Sequence, residues 1–452
     1  MNPAIFRLLL RAKQWPNRSF FDRIAQVEKN QWISRDQLQE LAWQKQKALV
    51  KHAYEKTPFY KEKYSQAGFE PGDLRRREDF ERLPVLTKGE VRQNLERMRM
   101  QNLPEDRVRT MFTGGSTGVP LKVYQDRQGA LWNDPMRFRT HGAWGLKMGV
   151  RIAHIWGLNP LNEQYEQNQQ SSWHRYLHNF VLLSAFDMTE EKMVKFAGIL
   201  ARYKPHLIIS YTSAMYTFAN FLLENGGPKW KTKAVWLTSE PIHDFQKQCI
   251  EQALSAPVYN QYGSVEVFYY AAQCRQRDGL HINSDFRTLE VVDEQGRGVG
   301  PGELGQVVVT DLVNYACPLI RYRNEDMASL VANSCPCGSS LPLMSEVTGR
   351  VYDMFGLKDG TQVYGHRFTT FFYSHIDKVK TFQVHQISLD RALVKIVPVR
   401  DCPRQELKEA LLTAFREYTK GQMDFEVSFV EEIARESSGK YRFVKSELVA
   451  QR

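Results

Sequence analysis

The 452-residue chain lacks any apolar run near the ~18 residues that a membrane-spanning helix needs, which excludes an integral helical membrane protein. It lacks a zinc-finger, ribonucleoprotein or heptad pattern, so nucleic acid is not expected as a partner. Its apolar N-terminal stretch Ala4–Leu10 is broken by Arg7 and makes a poor signal peptide. Repeats and low-complexity tracts are absent. Cysteine is sparse, at six residues, and in a long chain without a signal peptide this points to a reducing, cytoplasmic compartment. What is present is ordinary globular composition, with 42% hydrophobic and 25% charged residues. The length suits about three domains or two large ones. The formal net charge of +10 is concentrated at the front, where residues 1–110 hold 23 Lys+Arg against 15 Asp+Glu. A basic front end suits an anionic substrate or acceptor, or an anionic membrane surface. Phe6, Leu9 and Leu10 set against Arg7, Arg11 and Lys13 would make a helix for peripheral contact with the inner membrane face. The competing reading is a terminal helix packed on the body.

The first hundred residues read as helical. Ser34 to Gln37 fits a capping box opening the run Leu38 to Tyr54, and Thr57-Pro58 ends it. The middle alternates: a helix from Thr189 to about Tyr203, a strand over His206–Ser210, a helix over 212–225, a strand over Ala234–Leu237, and a strand over Pro257–Tyr262. Pro241 suits the first turn of the helix between the last two. Such alternation predicts an α/β fold with parallel sheets and crossover helices. From about 286 to 346 the pattern turns to strands with Gly-rich turns. The last hundred residues read as a compact α+β unit, with strands Val379–Gln386 and Ala392–Val399, a helix near Pro403–Tyr418, a strand near Phe425–Val430 and a short terminal helix. The boundary is placed at Gly349–Asp353, giving a large domain over 1–350 and a small one over 351–452.

The sharpest local signal is the loop Thr113, Gly114, Gly115, Ser116, Thr117, Gly118. It formally satisfies the G-x-S-x-G nucleophile elbow of serine hydrolases, with Ser116 as nucleophile. That elbow joins a strand to a helix, whereas Val108–Phe112 and Leu121–Tyr124 both read as strands. The other reading is a loop whose N–H groups and hydroxyls cradle phosphate. A plain hairpin turn is the third. A Walker A loop is excluded, because no Gly-Lys-Ser/Thr follows.

Further motifs come in order: Tyr262-Gly263-Ser264-Val265-Glu266, Arg321-Tyr322-Arg323-Asn324-Glu325-Asp326, Gly349-Arg350-Val351-Tyr352-Asp353, and Ser437-Ser438-Gly439-Lys440-Tyr441-Arg442. The series resembles the adenylate-forming superfamily, and within it the phenylacetate–coenzyme A ligase branch with its CapK-like members, over essentially the whole chain. The resemblance implies a large ATP/AMP-binding domain with a β-rich subdomain and a small mobile domain carrying a catalytic lysine. It implies an AMP-forming ligase that joins a carboxylic acid to AMP and passes the acyl group to coenzyme A, an amine or a sugar hydroxyl, the last in cell-envelope or capsular polysaccharide synthesis. Residue by residue, it places Thr113 to Gly118 around the ATP phosphates, Glu266 on Mg²⁺, and Tyr262, with Gly263 and Ser264, beside the adenine. It places Asp326 and Arg350 at the ribose, Ser239-Glu240-Pro241 along the nucleotide and acyl pocket, and Lys440 as the mobile lysine. Two departures stand out. Tyr352 occupies the usual hinge aspartate's place, and Asn324-Glu325 replaces the common Thr-Gly, which predicts a stiffer loop. They keep a non-catalytic protein of the same fold as an alternative.

Cys274, His281, Cys335 and Cys337 would complete a tetrahedral structural zinc site, and the resemblance implies a similar Cys/His set in some relatives of that branch. Ordinary cysteines are the competing reading. Trp144, His154, Trp156, Tyr211 and Trp236 are expected near the acyl pocket or in the core. The Gln/Asn-rich stretch Asn159–Trp173 is expected to be a flap.

Overall fold

The computed structural model describes residues 19–113, 121–142, 150–157, 180–185, 188–350, 354–373, 375, 378–434 and 441–448. The amino-terminal region is helical for the local reasons visible in its sequence. Ser34 Oγ accepts from Gln37 N and the Gln37 side chain accepts from Ser34 N, opening the helix Arg35–Lys56. Thr57 ends that helix and caps the next, Pro58–Gln66, whose proline needs no partner in the first turn.

The central sheet has nine strands. Phe180–Ser184, Ile152–Trp156, Leu207–Tyr211, Ala234–Thr238 and Val258–Ser264 run parallel in that spatial order. The helices Thr212–Glu224 and Asp244–Leu254 return the chain between neighbours. The sheet then continues antiparallel through Phe268–Gln273, Leu280–Ile282, Leu343–Met344 and Leu330–Val331. It is therefore mixed, because a short turn after Ser264 can only return the chain antiparallel. A second sheet is antiparallel throughout: Arg287–Val292, Gly305–Asp311, Tyr322–Ala328 and Gly349–Arg350. Its turns use Gly296 and Gly302 at φ of +80° and +85°.

The carboxy-terminal strands Asp424–Phe429, Arg391–Pro398, Val379–Ser388 and Val444–Ser446 form a sheet of their own, packed with Phe368, Phe372, Leu411 and Phe415 into a separate core. Val444–Ser446 adds a strand that was not expected, pairing in parallel with Val384–Gln386, and residues 449–452, where the terminal helix was expected to end, lie outside the described residues. One local expectation is corrected. Pro241 lies before its helix rather than inside it, since His243 is the cap and its N–H donates to Gln246 Oε1.

The amino-terminal helices are fixed to the sheets through buried polar groups. Asp285 is fully buried and accepts from Asn30 Nδ2 at 2.9 Å and from Arg139 at 2.9 and 3.0 Å. Its carbonyl takes the Lys45 ammonium at 2.5 Å. Lys88–Glu325 makes another such link, whereas Lys63–Glu90 and Arg97–Glu62 pair within the amino-terminal region itself. No helix among the described residues is long and apolar enough to cross a membrane.

Burial pushes the Lys45 ammonium down to about 8. Between that value and the ordinary lysine range the unfolded chain holds the proton and the folded chain does not, so this site favours folding more as pH rises. The stability difference between the native chain and Lys45→Met should shift toward the native chain between pH 7 and pH 10, by on the order of 2 kcal/mol in denaturant titrations. A flat difference would show that Lys45 titrates normally.

Candidate active site

The strand Tyr322–Ala328 turns Tyr322, Asn324, Asp326 and Ala328 inward by simple alternation. The Tyr322 hydroxyl donates to Glu266 Oε1 at 3.1 Å. Tyr262 donates to Asp326 Oδ2 at 2.8 Å, and Asn324 Nδ2 reaches the same oxygen at 2.9 Å. Tyr270 packs edge-on to Tyr262 at 4.8 Å and bonds Ser264 Oγ at 2.6 Å. Burial, reinforced by the negative charge of Glu266 or Asp326, holds Tyr262, Tyr270 and Tyr322 well above the usual phenol range. Glu266 and Asp326 are thus joined through one patch of neutral tyrosines. Residue 350 lies directly across from Asp326 in the strand pairing.

Glu266 is only 6% exposed and has no cationic side chain in an ion pair among the described residues. Gly263 is required where it stands: a Cβ would meet the Phe268 carbonyl oxygen at 2.0 Å. Ser264 also accepts from Val267 N, closing the turn. Glu325 takes φ of +72° where a glycine would be unstrained, and its carboxylate is held by Lys88 of the amino-terminal region. Asn324 and Glu325, expected in a loop, thus lie inside the strand Tyr322–Ala328. Lys88, Tyr270, Tyr322 and Asn324 were not singled out as site residues from sequence. The alternating polar pattern of Tyr322 to Asp326 was the available signal for two of them.

Ser239 and Glu240 follow the strand Ala234–Thr238, with Ser239 at φ of +71°. The Glu240 carboxylate bonds Ser213 and the Tyr441 amide. Pro241 borders the same cleft as Glu240 and Tyr441. Thr113 closes the hairpin of Val108–Phe112 and Lys122–Asp126: its N–H donates to the Leu121 carbonyl and its Oγ1 accepts from Leu121 N at 2.9 Å. Gly114, Gly115, Ser116, Thr117 and Gly118 lie outside the described residues, as do Lys440, Tyr352, Trp144 and Asn159–Trp173. The hairpin context differs from the strand–helix context of a nucleophile elbow.

The metal-binding reading brings four side chains together. The donor atoms of Cys274, His281, Cys335 and Cys337 lie within 4.8 Å of one another. Cys274 and Cys335 are 3.4 Å apart at sulfur, and Cys337 Sγ is 3.5 Å from His281 Nε2. Burial raises the Cys274 thiol to about 12 and lowers His281 to about 4. Gly338, at φ of +82°, turns the cysteine loop back on itself. Ser340 N then donates to the Gln31 carbonyl at 2.9 Å, tying that loop to the turn between the helices Ser19–Asn30 and Arg35–Lys56.

Of the aromatic candidates, Trp236 is core, at 1% exposed. Trp156 and Tyr211 touch at 4.6 Å. His154 sits between Trp156 and Phe180, and burial lowers it to about 3, which keeps it uncharged.

The family described as the CapK C-terminal domain matches residues 356–447. Phenylacetate–coenzyme A ligase of Thermus thermophilus is 25% identical over 80% of this chain and 82% of its own. Protein CapK of Staphylococcus aureus is 22% identical over 81% of this chain and 80% of its own. A crystal structure of 2-hydroxyisobutyryl-CoA ligase in the postadenylation state shares the fold, with a TM-score of 0.76 at 19% identity, covering 93% of this chain and 92% of that one. The same ligase in the thioesterification state superposes less well, at 0.63 with 20% identity, covering 92% of this chain and 91% of that one.

Gly263→Ala should destabilise the chain by about 3 kcal/mol, because backbone rather than a flexible side chain blocks the added methyl. Denaturant melts would measure it. A loss under about 0.5 kcal/mol would show that the turn can open.

Proposed function

Because the chain belongs to the adenylate-forming superfamily, with the phenylacetate–coenzyme A ligases and CapK-like proteins, we propose that it uses ATP to convert a carboxylic acid to an acyl-adenylate and then to a coenzyme A thioester. The observation that carries this reading is the pairing of Glu266 and Asp326 across one buried tyrosine patch, with residue 350 facing Asp326. A carboxylate is a poor electrophile. Its attack on the α-phosphorus expels pyrophosphate and loads charge onto phosphorus oxygens, so the site needs cations and N–H donors there. A buried carboxylate without a cationic partner among the described residues, as Glu266 is, fits a divalent cation. Magnesium held there would neutralise phosphate charge. Asp326 accepts from the ribose hydroxyls, Thr113 to Gly118 surround the leaving phosphates, and Lys440 adds its ammonium.

The domains act in turn: residues 1–350 bind nucleotide and acid, and 351–452 bring and withdraw Lys440. Coenzyme A is the acceptor favoured by relatives spanning four-fifths of the chain.

The cysteine–histidine cluster holds structural zinc. Its three thiols and one imidazole fit a closed tetrahedral site. Its loop grips the Gln31 carbonyl, so the ion would brace the amino-terminal helices. The purified chain should contain about one zinc, lost in Cys335→Ser. Chelation should open the Gln31–Ile33 turn to protease. Metal-free protein with that turn still protected would refute this role.

Carboxylate-dependent exchange of pyrophosphate into ATP, over aryl, fatty, hydroxy and amino acids, tests the function. Lys440→Ala should cut exchange about a hundredfold with ATP binding retained. Exchange that survives the change, or fluorophosphonate labelling of Ser116, would overturn the assignment.

A further inference from the structure

We propose that Glu240 is a positioning residue, a latch that joins the central sheet to the carboxy-terminal unit and fixes the backbone beside Lys440 for the adenylate-forming step. This rests on the function proposed above. Both carboxylate oxygens are engaged. Oε2 accepts from Ser213 N at 2.6 Å. Oε1 accepts from Ser213 Oγ at 2.9 Å and from Tyr441 N at 2.9 Å. Ser213 is the second residue of the helix Thr212–Glu224, so the negative charge sits at the positive end of a 13-residue helix. The same carboxylate therefore holds one rigid element of the large domain and one backbone N–H of the small one.

The chain is shaped to deliver it. Ser239 takes the left-handed conformation, φ +71°, which turns the chain sharply after the strand Ala234–Thr238. Thr212 Oγ1 donates to the Glu240 carbonyl at 3.4 Å, holding the turn from its other side. On the far side Tyr441 is itself pinned, its hydroxyl donating to the Phe382 carbonyl at 2.8 Å. Phe443 packs edge-on against His243 at 5.4 Å and Phe245 at 6.3 Å, which closes the same junction with apolar contact.

Tyr441 follows Lys440 directly in the chain. An anchor at its amide lies one peptide unit from the lysine and limits where that side chain can start. A charge-assisted hydrogen bond from a backbone N–H is well suited to this use. It is directional, and it is lost whole when the small domain rotates, so it favours one domain arrangement without tethering the other. Glu240 thus contributes to the first half-reaction without needing to touch the acid.

Two measurements on the full-length chain test this. Hydrogen exchange at the Tyr441 amide should speed up about tenfold in Glu240→Ala, with the amides of Leu207–Tyr211 unchanged. In kinetics, the ratio of the adenylation rate, read by pyrophosphate exchange, to the rate of thioester formation from supplied acyl-adenylate should fall about tenfold. If Glu240→Ala does not fold, Glu240→Asp carries the same test. It keeps the charge at the helix end and shortens the reach by one methylene. Unchanged exchange at Tyr441, or half-reactions that fall together, would overturn the latch. An absence of pyrophosphate exchange in the native chain would instead count against the ligase reading, and the amide measurement would still decide the latch.

Discussion

The buried guanidinium of Arg321 sets the geometry on which the patch of Tyr262, Tyr270 and Tyr322 depends. It is 1% exposed, with the backbone at φ of +49°. It pairs with Glu290 and donates to the carbonyls of Leu83 at 2.5 Å, Glu81 at 2.6 Å and Gly296 at 2.8 Å. An arginine out of water is tolerable only with such complete satisfaction of its donors. Those partners come from the amino-terminal region, the Gly-rich turn and the strand Arg287–Val292, two places away in the same sheet, so one side chain fixes all of them against each other. The strand that starts at the next residue inherits a defined register. Leu86 bridges Tyr322 in parallel and exchanges backbone hydrogen bonds with residues 321 and 323. Tyr322, Asn324 and Asp326 then face Glu266 and Tyr262 as a consequence of alternation.

The tyrosine patch shows how such a frame becomes chemistry. Tyr262, Tyr270 and Tyr322 stay protonated, so Tyr262 and Tyr322 donate to carboxylates without adding charge. Glu266 and Asp326 are thereby each held in place by a tyrosine hydroxyl. The polar groups of the site are therefore organised before any ligand arrives, which lowers the cost of ordering them on binding.

Much of this was legible in the sequence where the signal is local. The capping box at Ser34, the alternating strands and helices between 189 and 262, and the carboxy-terminal hairpin all follow from periodicity and turn chemistry. The cysteines and histidine of one cluster could be grouped from residue type and spacing, although Cys274 and Cys335 lie 61 positions apart. The reach of Arg321 to Leu83 could not, because it spans 238 positions and depends on how separate sheets pack. Likewise Val444–Ser446 is too short to declare itself a strand; its neighbour Val379–Ser388 makes it one. Gly263 was read for its motif, whereas its necessity comes from a carbonyl five residues on.

Glu325, in its left-handed conformation and clasped by Lys88, carries a last implication. The hundred residues at the front are not an appendage to a self-sufficient catalytic body. They supply the counterweight to a backbone twist one position from the carboxylate assigned to the ribose. Fragments that begin beyond them, or chimaeras that exchange them, would leave Glu325 without its clasp, so the unit to keep intact in engineering is the whole of the larger half.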